Sequence, residues 1–214
     1  MSDRVARGVL LIHGGLWEDG GADWFWRRTG VIDGLERRGL SVVAPDRLRR
    51  APDWAAEAAH LAAAVRESGL AGPSLTVLAG SFGCAAAVRL ALDFPGLSGR
   101  LILAWPASVA DAFTMVRVRA GLSRQGASGK TLGALLGTGA LPSAGDDELR
   151  GLSLPAGIIP SVPPNALHPR AAVDALLRVL PSAAELPGCP EAPRPEFPSH
   201  REAFLDTVTA FASA

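Results

Sequence analysis

Ser74-Leu75-Thr76-Val77-Leu78-Ala79-Gly80-Ser81-Phe82-Gly83-Cys84-Ala85-Ala86-Ala87-Val88 is the stretch whose reading decides the fold. An apolar run carrying Thr, Val and Leu reads as a strand, and the Ala-rich run after Gly83 reads as a helix. Between them lies a turn of small residues with one hydroxyl, that of Ser81. A tight strand-to-helix turn holds a serine Oγ above the sheet edge, and the helix start behind it favours negative charge. Such a turn is crowded, and Ala79, Gly80 and Gly83 supply the small neighbours. The usual spacing is G-x-S-x-G; Ala79 stands at the first glycine, a departure of one methyl group.

Working outward, Val9-Leu10-Leu11-Ile12 is a continuous apolar run, the mark of a strand buried on both faces. It ends in His13-Gly14-Gly15-Leu16-Trp17, where glycines let the backbone approach a ligand and turn its N–H groups outward. Trp24 to Arg38 has helical spacing and ends at Gly39. Leu40–Ala44 is a second strand, closed by Pro45-Asp46. Pro52 to Ser68 is a helix followed by Gly69, and His60 on it reads as a surface or satisfied core residue. After the Ser81 turn and its helix, Arg100 to Trp105 is a fourth strand, ended by Pro106. This alternation predicts an α/β fold, a doubly wound, mostly parallel sheet of about six strands with helices on both faces. Reactive groups then belong at the carboxyl ends of the strands, where His13, Gly14, Gly15, Ser81, Trp105 and Pro106 all fall.

Residues 111–151 are rich in Gly, Ser and Ala, with helical spacing at Phe113–Val118 and Leu132–Leu136. They read as a small lid-like insertion in a single domain spanning 1–214, and Asp146-Asp147-Glu148 as an N-cap and first helical turn. Ala156–Ile159 is a short fifth strand running into Pro160–Pro169. Arg170 to Leu180 is a helix and Ala183 to Leu186 a last strand. Gly188 to Pro198, with Pro190, Pro193, Pro195 and Pro198, excludes regular structure. Ser199 is expected to cap a final helix docked through Phe204, Val208 and Phe211.

The chain has 214 residues, 48% hydrophobic and 20% charged, with net charge zero, so nothing suggests a nucleic-acid surface. The two cysteines, Cys84 and Cys189, have neither metal-ligand spacing nor a disulfide framework. No apolar run is long enough for a bilayer, and no leader-type segment is read at the N-terminus, so the expectation is a cytoplasmic protein without membrane contact. There is no tyrosine to act as acid or oxyanion donor.

Strand-His13-Gly14-Gly15, strand-Ala79-Gly80-Ser81-Phe82-Gly83-helix, and the order of strands and helices resemble the α/β-hydrolase fold over nearly the whole chain. The chain would begin at that family's third strand. The resemblance implies a nucleophile elbow with Ser81 as nucleophile, and an oxyanion hole from the backbone amides of Gly15 and Phe82. His13 then holds its loop by hydrogen bonds. The family's order is serine, acid, histidine. Its acid position, after Ala156–Ile159, matches Asn165, which can orient an imidazole but carries no charge. Its histidine position, near Gly188, holds Cys189 and Pro190. His200 is the only histidine after the last strand, so chain order selects it as the base; His168, on the loop after the fifth strand, is the other candidate. Asp111, Glu191 and Glu196 are carboxylates that could stand in for the acid.

These residues imply a hydrolase or acyltransferase acting through an acyl-enzyme on an ester, thioester or lactone, with no metal or organic cofactor. The substrate expected is a partly apolar small molecule, with Trp17 and Trp105 as pocket walls beside Trp24 and Trp26. The departures at Asn165 and at Cys189-Pro190 leave a second reading: a repurposed member that binds a ligand or runs a non-hydrolytic reaction such as a cyclisation.

Overall fold

Side chains alternate between two cores along every central strand. In β1 (Gly8–Ile12), Leu10 and Ile12 enter one apolar cluster while Val9 and Leu11 enter the other. The same alternation holds in β3 (Gly72–Gly80), with Leu75, Val77 and Ala79 opposite Leu78. In β4 (Ser98–Ala104), Leu101 and Leu103 lie opposite Ile102 and Ala104. A strand of period two that is apolar on both faces needs a covering layer on each side. The computed structural model, which describes residues 7–109, 111–137 and 139–214, supplies both layers. Residues 1–6, part of the stretch read for a leader, and Thr138, inside the expected insertion, lie outside the described residues.

With β2 (Ser41–Val43), β5 (Ala156–Ile159) and β6 (Ala183–Glu185), the sheet has six strands in the order β2-β1-β3-β4-β5-β6, all parallel. One face is covered by α2 (Trp54–Ser68), α3 (Gly83–Asp93) and α7 (Arg170–Val179). The other is covered by α1 (Val31–Arg37) and α8 (Arg201–Ser213). From β1 the chain steps outward to β2, then returns to the other side of β1 with β3. That reversal is the topological switch point, where a crevice opens at the carboxyl ends of β1 and β3.

Local chemistry explains most boundaries. Asp53 caps α2 by accepting the amide of Ala56 at 2.8 Å, so that helix starts after the expected Pro52, and Gly69 ends it at φ 72°. The single helix expected over Trp24–Arg38 is two pieces: a π-helical turn, Asp23–Arg27, then α1, separated at Gly30 with φ 79°. The expected insertion holds α4 (Ala112–Arg124), α5 (Gly129–Leu135) and α6 (Asp146–Arg150). Their Leu122, Leu132, Leu135 and Leu149 join the core over α2 and α3. Gly145, not Asp146, occupies the N-cap of α6. Ser199 does not cap α8: its hydroxyl donates to the Glu196 carbonyl at 2.9 Å and His200 takes the cap position. Among the described residues no helix is long and apolar enough to cross a membrane.

Gly83 is where α3 meets β1. A Cβ there would lie 2.7 Å from both the Ile12 and His13 carbonyl oxygens, and backbone cannot swing aside as a flexible side chain can. Gly83→Ala is expected to destabilise the fold by about 2 kcal/mol, a fall of roughly 4–8 °C in Tm. A thermal unfolding midpoint equal to wild type would show that the elbow tolerates the methyl group.

Candidate active site

Ser81 stands at the apex between β3 and α3 with φ 54°, a left-handed conformation that non-glycine residues rarely hold. Its amide donates to the Ala104 carbonyl at 3.0 Å and its carbonyl accepts from the Cys84 amide at 3.0 Å. Both bonds fix the strained residue. The small neighbours are required by contact: a Cβ on Gly80 would lie 2.7 Å from the Phe25 ring, and one on Gly14 2.6 Å from the same ring. Phe25 thus packs under both the elbow and the glycine loop. Cys84 is fully buried behind the serine, and burial pushes its thiol well above the ordinary range, so it stays neutral.

The Ser81 hydroxyl donates to His168 Nε2 at 2.9 Å, and His168 Nδ1 lies 2.7 Å from Glu191 Oε1. An ionised carboxylate only accepts, so Nδ1 carries the proton and Nε2 is left free to accept from Ser81. The imidazole that meets Ser81 is therefore His168. His200, which chain order selects, is exposed at the start of α8 and has no hydrogen bond to Ser81. The physical reason lies in the loop after β6. It enters the site at Glu191, then leaves through the fully buried Phe197 before His200 is reached.

Glu191 is held from several sides. Ser161 Oγ donates to Oε1 at 2.9 Å, Asn165 Nδ2 donates to the same oxygen at 2.6 Å, and Arg194 pairs with Oε2. The glutamate is only 5% exposed. Burial alone would raise its carboxyl, but the bonds from His168, its own amide and Ser161 outweigh that and hold it at about 2. Asn165 does lie in the site, yet the residue that faces the imidazole as an anion is Glu191. Asp111 is instead the N-cap of α4, accepting from the Thr114 amide at 2.7 Å. Glu196 is exposed, and its carbonyl serves Ser199.

Parallel pairing carried past the ends of β5 and β6 brings the two loops together. The Cys189 amide donates to the Pro160 carbonyl and the Val162 amide to the Cys189 carbonyl, each at 3.1 Å. Gly188 permits this approach, because a Cβ there would lie 2.6 Å from a Val162 methyl. Cys189 is buried, its thiol pushed up to about 12, chiefly by burial.

On the opposite side, His13 Nδ1 faces the Gly14 carbonyl at 2.8 Å and its Nε2 accepts from the Arg47 amide at 3.0 Å. Both nitrogens are used, and burial lowers its pKa, so this histidine is neutral scaffolding. Arg47 also donates to the Gly15 carbonyl at 2.6 Å and pairs with the buried Glu57 at 3.2 Å. Gly15 itself takes φ 82°, a conformation that favours glycine. Neither the Gly15 nor the Phe82 amide donates to another group among the described residues. Trp105, expected as a pocket wall, is fully buried: it stacks on Phe204 at 5.4 Å and donates to the Cys189 carbonyl at 3.0 Å. Trp26 is likewise core, whereas Trp17 is half-buried and lines a polar cavity of about 160 Å³ beside Gly14 and Gly15. A second recess of about 250 Å³ lies beside His168, walled by Pro160, Val162, Pro164 and Val173. Among the described residues no cluster of His, Cys, Asp and Glu could hold a metal ion.

No protein-family model matches the sequence, nor does any curated protein. Solved structures do match in shape. The protein that carries the name non-heme bromoperoxidase BpoC, from Mycobacterium tuberculosis, superposes with a TM-score of 0.74 at 15% identity, over 97% of this chain and 92% of that one. MGS-MChE2, an α/β-hydrolase enzyme from the sediment metagenome of the Mar Chica lagoon, Morocco, gives 0.70 at 21% identity, over 97% and 91%. The esterase EaEST from Exiguobacterium antarcticum gives 0.69 at 13% identity, over 98% and 92%. With its six-stranded parallel sheet, its two helical layers and its strand–turn–helix at Ser81, the chain has the α/β-hydrolase fold.

Proposed function

We propose that the protein is a serine hydrolase that cleaves an ester, thioester or lactone through an acyl-enzyme. The observation that carries this reading is the continuous chain Ser81 Oγ to His168 Nε2 at 2.9 Å and His168 Nδ1 to Glu191 at 2.7 Å. In this reading Ser81 Oγ attacks the carbonyl carbon while His168 Nε2 takes its proton. The negative charge that develops on the carbonyl oxygen is met by the amides of Phe82 and Gly15 and by the N-terminal end of α3. The tetrahedral species collapses, and the leaving group departs with the proton held by His168. Water then attacks the acyl-enzyme with His168 again as base, which restores Ser81 and releases the acid. Glu191 stays ionised throughout and stabilises the imidazolium.

The apolar recess beside His168 fits a small, partly apolar portion of the substrate. The lid-like insertion expected after β4 corresponds to α4, α5 and α6. The chemistry needs no metal or organic cofactor, and the reading includes no nucleic-acid or membrane partner. A fluorophosphonate probe tests the nucleophile: covalent labelling of the wild type and none of Ser81→Ala is the expected result. A folded wild type that resists labelling at every pH from 6 to 9 would overturn the activated serine.

A further inference from the structure

Asn165 stands where the family's chain order seeks the acid, and its side chain uses its polar atoms inside the site. Oδ1 accepts the amides of Leu167 and His168, both at 3.0 Å, and so fixes the backbone that carries the imidazole. Nδ2 donates to Glu191 Oε1 at 2.6 Å, the oxygen that His168 faces. One side chain therefore ties the loop after β5 to the loop after β6. Nδ2 also lies 3.4 Å from His168 Nδ1. Both atoms carry hydrogens directed at Glu191, so the amide and the imidazole are neighbours around one shared anion.

We infer that Asn165 is the positioning residue of this site, and that residues 165 and 191 form an amide–carboxylate pair whose single charge can sit on either member. The inference rests on the reading of Ser81, His168 and Glu191 as the catalytic groups. Exchanging amide and carboxylate conserves the pair's net charge and its mutual hydrogen bond, with the donor direction reversed. A carboxylate at 165 would keep the amides of Leu167 and His168 as donors, and such bonds favour the ionised form. It would stand close to the 3.4 Å that now separates position 165 from His168 Nδ1. Changing Asn165 alone has the opposite effect, since two carboxylates at the present 2.6 Å cannot both ionise without forcing the loops apart. The other charged or titratable groups facing this pair are His168 from the β5 loop and Arg194 and Cys189 from the β6 loop.

The test compares Asn165→Ala, Asn165→Asp, Glu191→Gln and the double variant Asn165→Asp/Glu191→Gln with wild type. It reads kcat and KM on a p-nitrophenyl ester across pH 5–9, together with the low-field proton resonance of His168 Nδ1–H. Asn165→Ala is expected to lower kcat by about 10- to 100-fold, the worth of one hydrogen bond to a charged group, with KM nearly unchanged. Asn165→Asp is expected to lose activity as pH rises across a range in which wild type does not. The double variant is expected to recover at least about tenfold of the kcat lost in Glu191→Gln, because its net charge and its carboxylate are restored. A double variant no better than Glu191→Gln, or an Asn165→Ala enzyme equal to wild type at every pH, would overturn the inference. The resonance, expected in wild type and weakened in Asn165→Ala, is readable without turnover. It therefore separates failure of the positioning role from failure of the hydrolase reading, which the fluorophosphonate label reports.

Discussion

His168→Ala is expected to lower kcat by about 10⁴-fold or more, while His200→Ala leaves it within a factor of about two. The two substitutions remove the same imidazole from two places in the chain. At 168 the ring is the only group among the described residues within hydrogen-bonding distance of Ser81 Oγ, and without it the hydroxyl has no such base to take its proton. At 200 the ring is exposed, and among the described residues the residue makes only backbone bonds that any residue makes: its amide to Phe197 and its carbonyl from Phe204. Steady-state turnover of a p-nitrophenyl ester measures both. Equal loss in both variants, or full activity in His168→Ala, would overturn the assignment of the base.

Glu191→Gln is expected to lower kcat by about 10⁴-fold, as a triad Asp→Asn exchange does in a serine protease, with KM changed little. The amide keeps the size of the side chain but cannot stabilise the imidazolium that forms in the transition state. The donors from Ser161, Asn165 and His168 all meet one oxygen, so the amide keeps its carbonyl there and sets its N–H₂ group against Arg194, where the present ion pair becomes a donor–donor contact. The same substitution has a second readout in stability. The folded-state pKa of Glu191, about 2, lies below the ordinary 4.5, so the ionised form is favoured by folding. Its contribution is fully present above about pH 4.5 and is lost as pH falls toward 2. Wild type is therefore expected to unfold at a higher temperature than Glu191→Gln near neutrality, with the gap closing between pH 4.5 and pH 2. A gap that stays constant over that interval would show that the charge of Glu191 does not contribute to stability.

The elbow and the glycine loop were legible because their chemistry is local. Ser81 is presented by residues within a few positions of it, and Gly80, Gly83 and Gly14 are small because Phe25 and the β1 carbonyls leave no room. Trp105 was less legible. A tryptophan at the carboxyl end of a strand suits a pocket wall, but the β6 loop and α8 fold over it and turn it into core. Which imidazole and which carboxylate meet Ser81 was less legible for a different reason: chain order put His200 and Asn165 first, with His168 and Glu191 among the alternatives. The order serine, acid, histidine is a rule about chain connectivity, whereas the chemistry needs only that three side chains meet. Here the loop after β5 carries the histidine that meets Ser81 and the loop after β6 carries the carboxylate that meets that histidine, the reverse of that order. Asn165, three residues before His168, and Glu191, two after Cys189, were the signals within the sequence that both loops bear site chemistry.

By itself the sequence determined the six-stranded α/β architecture, the place of the Ser81 turn and the glycine loop opposite it, because hydrophobic period and turn chemistry act over short stretches of chain. Only the tertiary structure decided which imidazole meets Ser81 and which carboxylate meets that imidazole. Those groups lie 87 and 110 residues away along the chain, and they are brought together by the parallel pairing of Pro160–Val162 with Cys189, a long-range contact that no local pattern records.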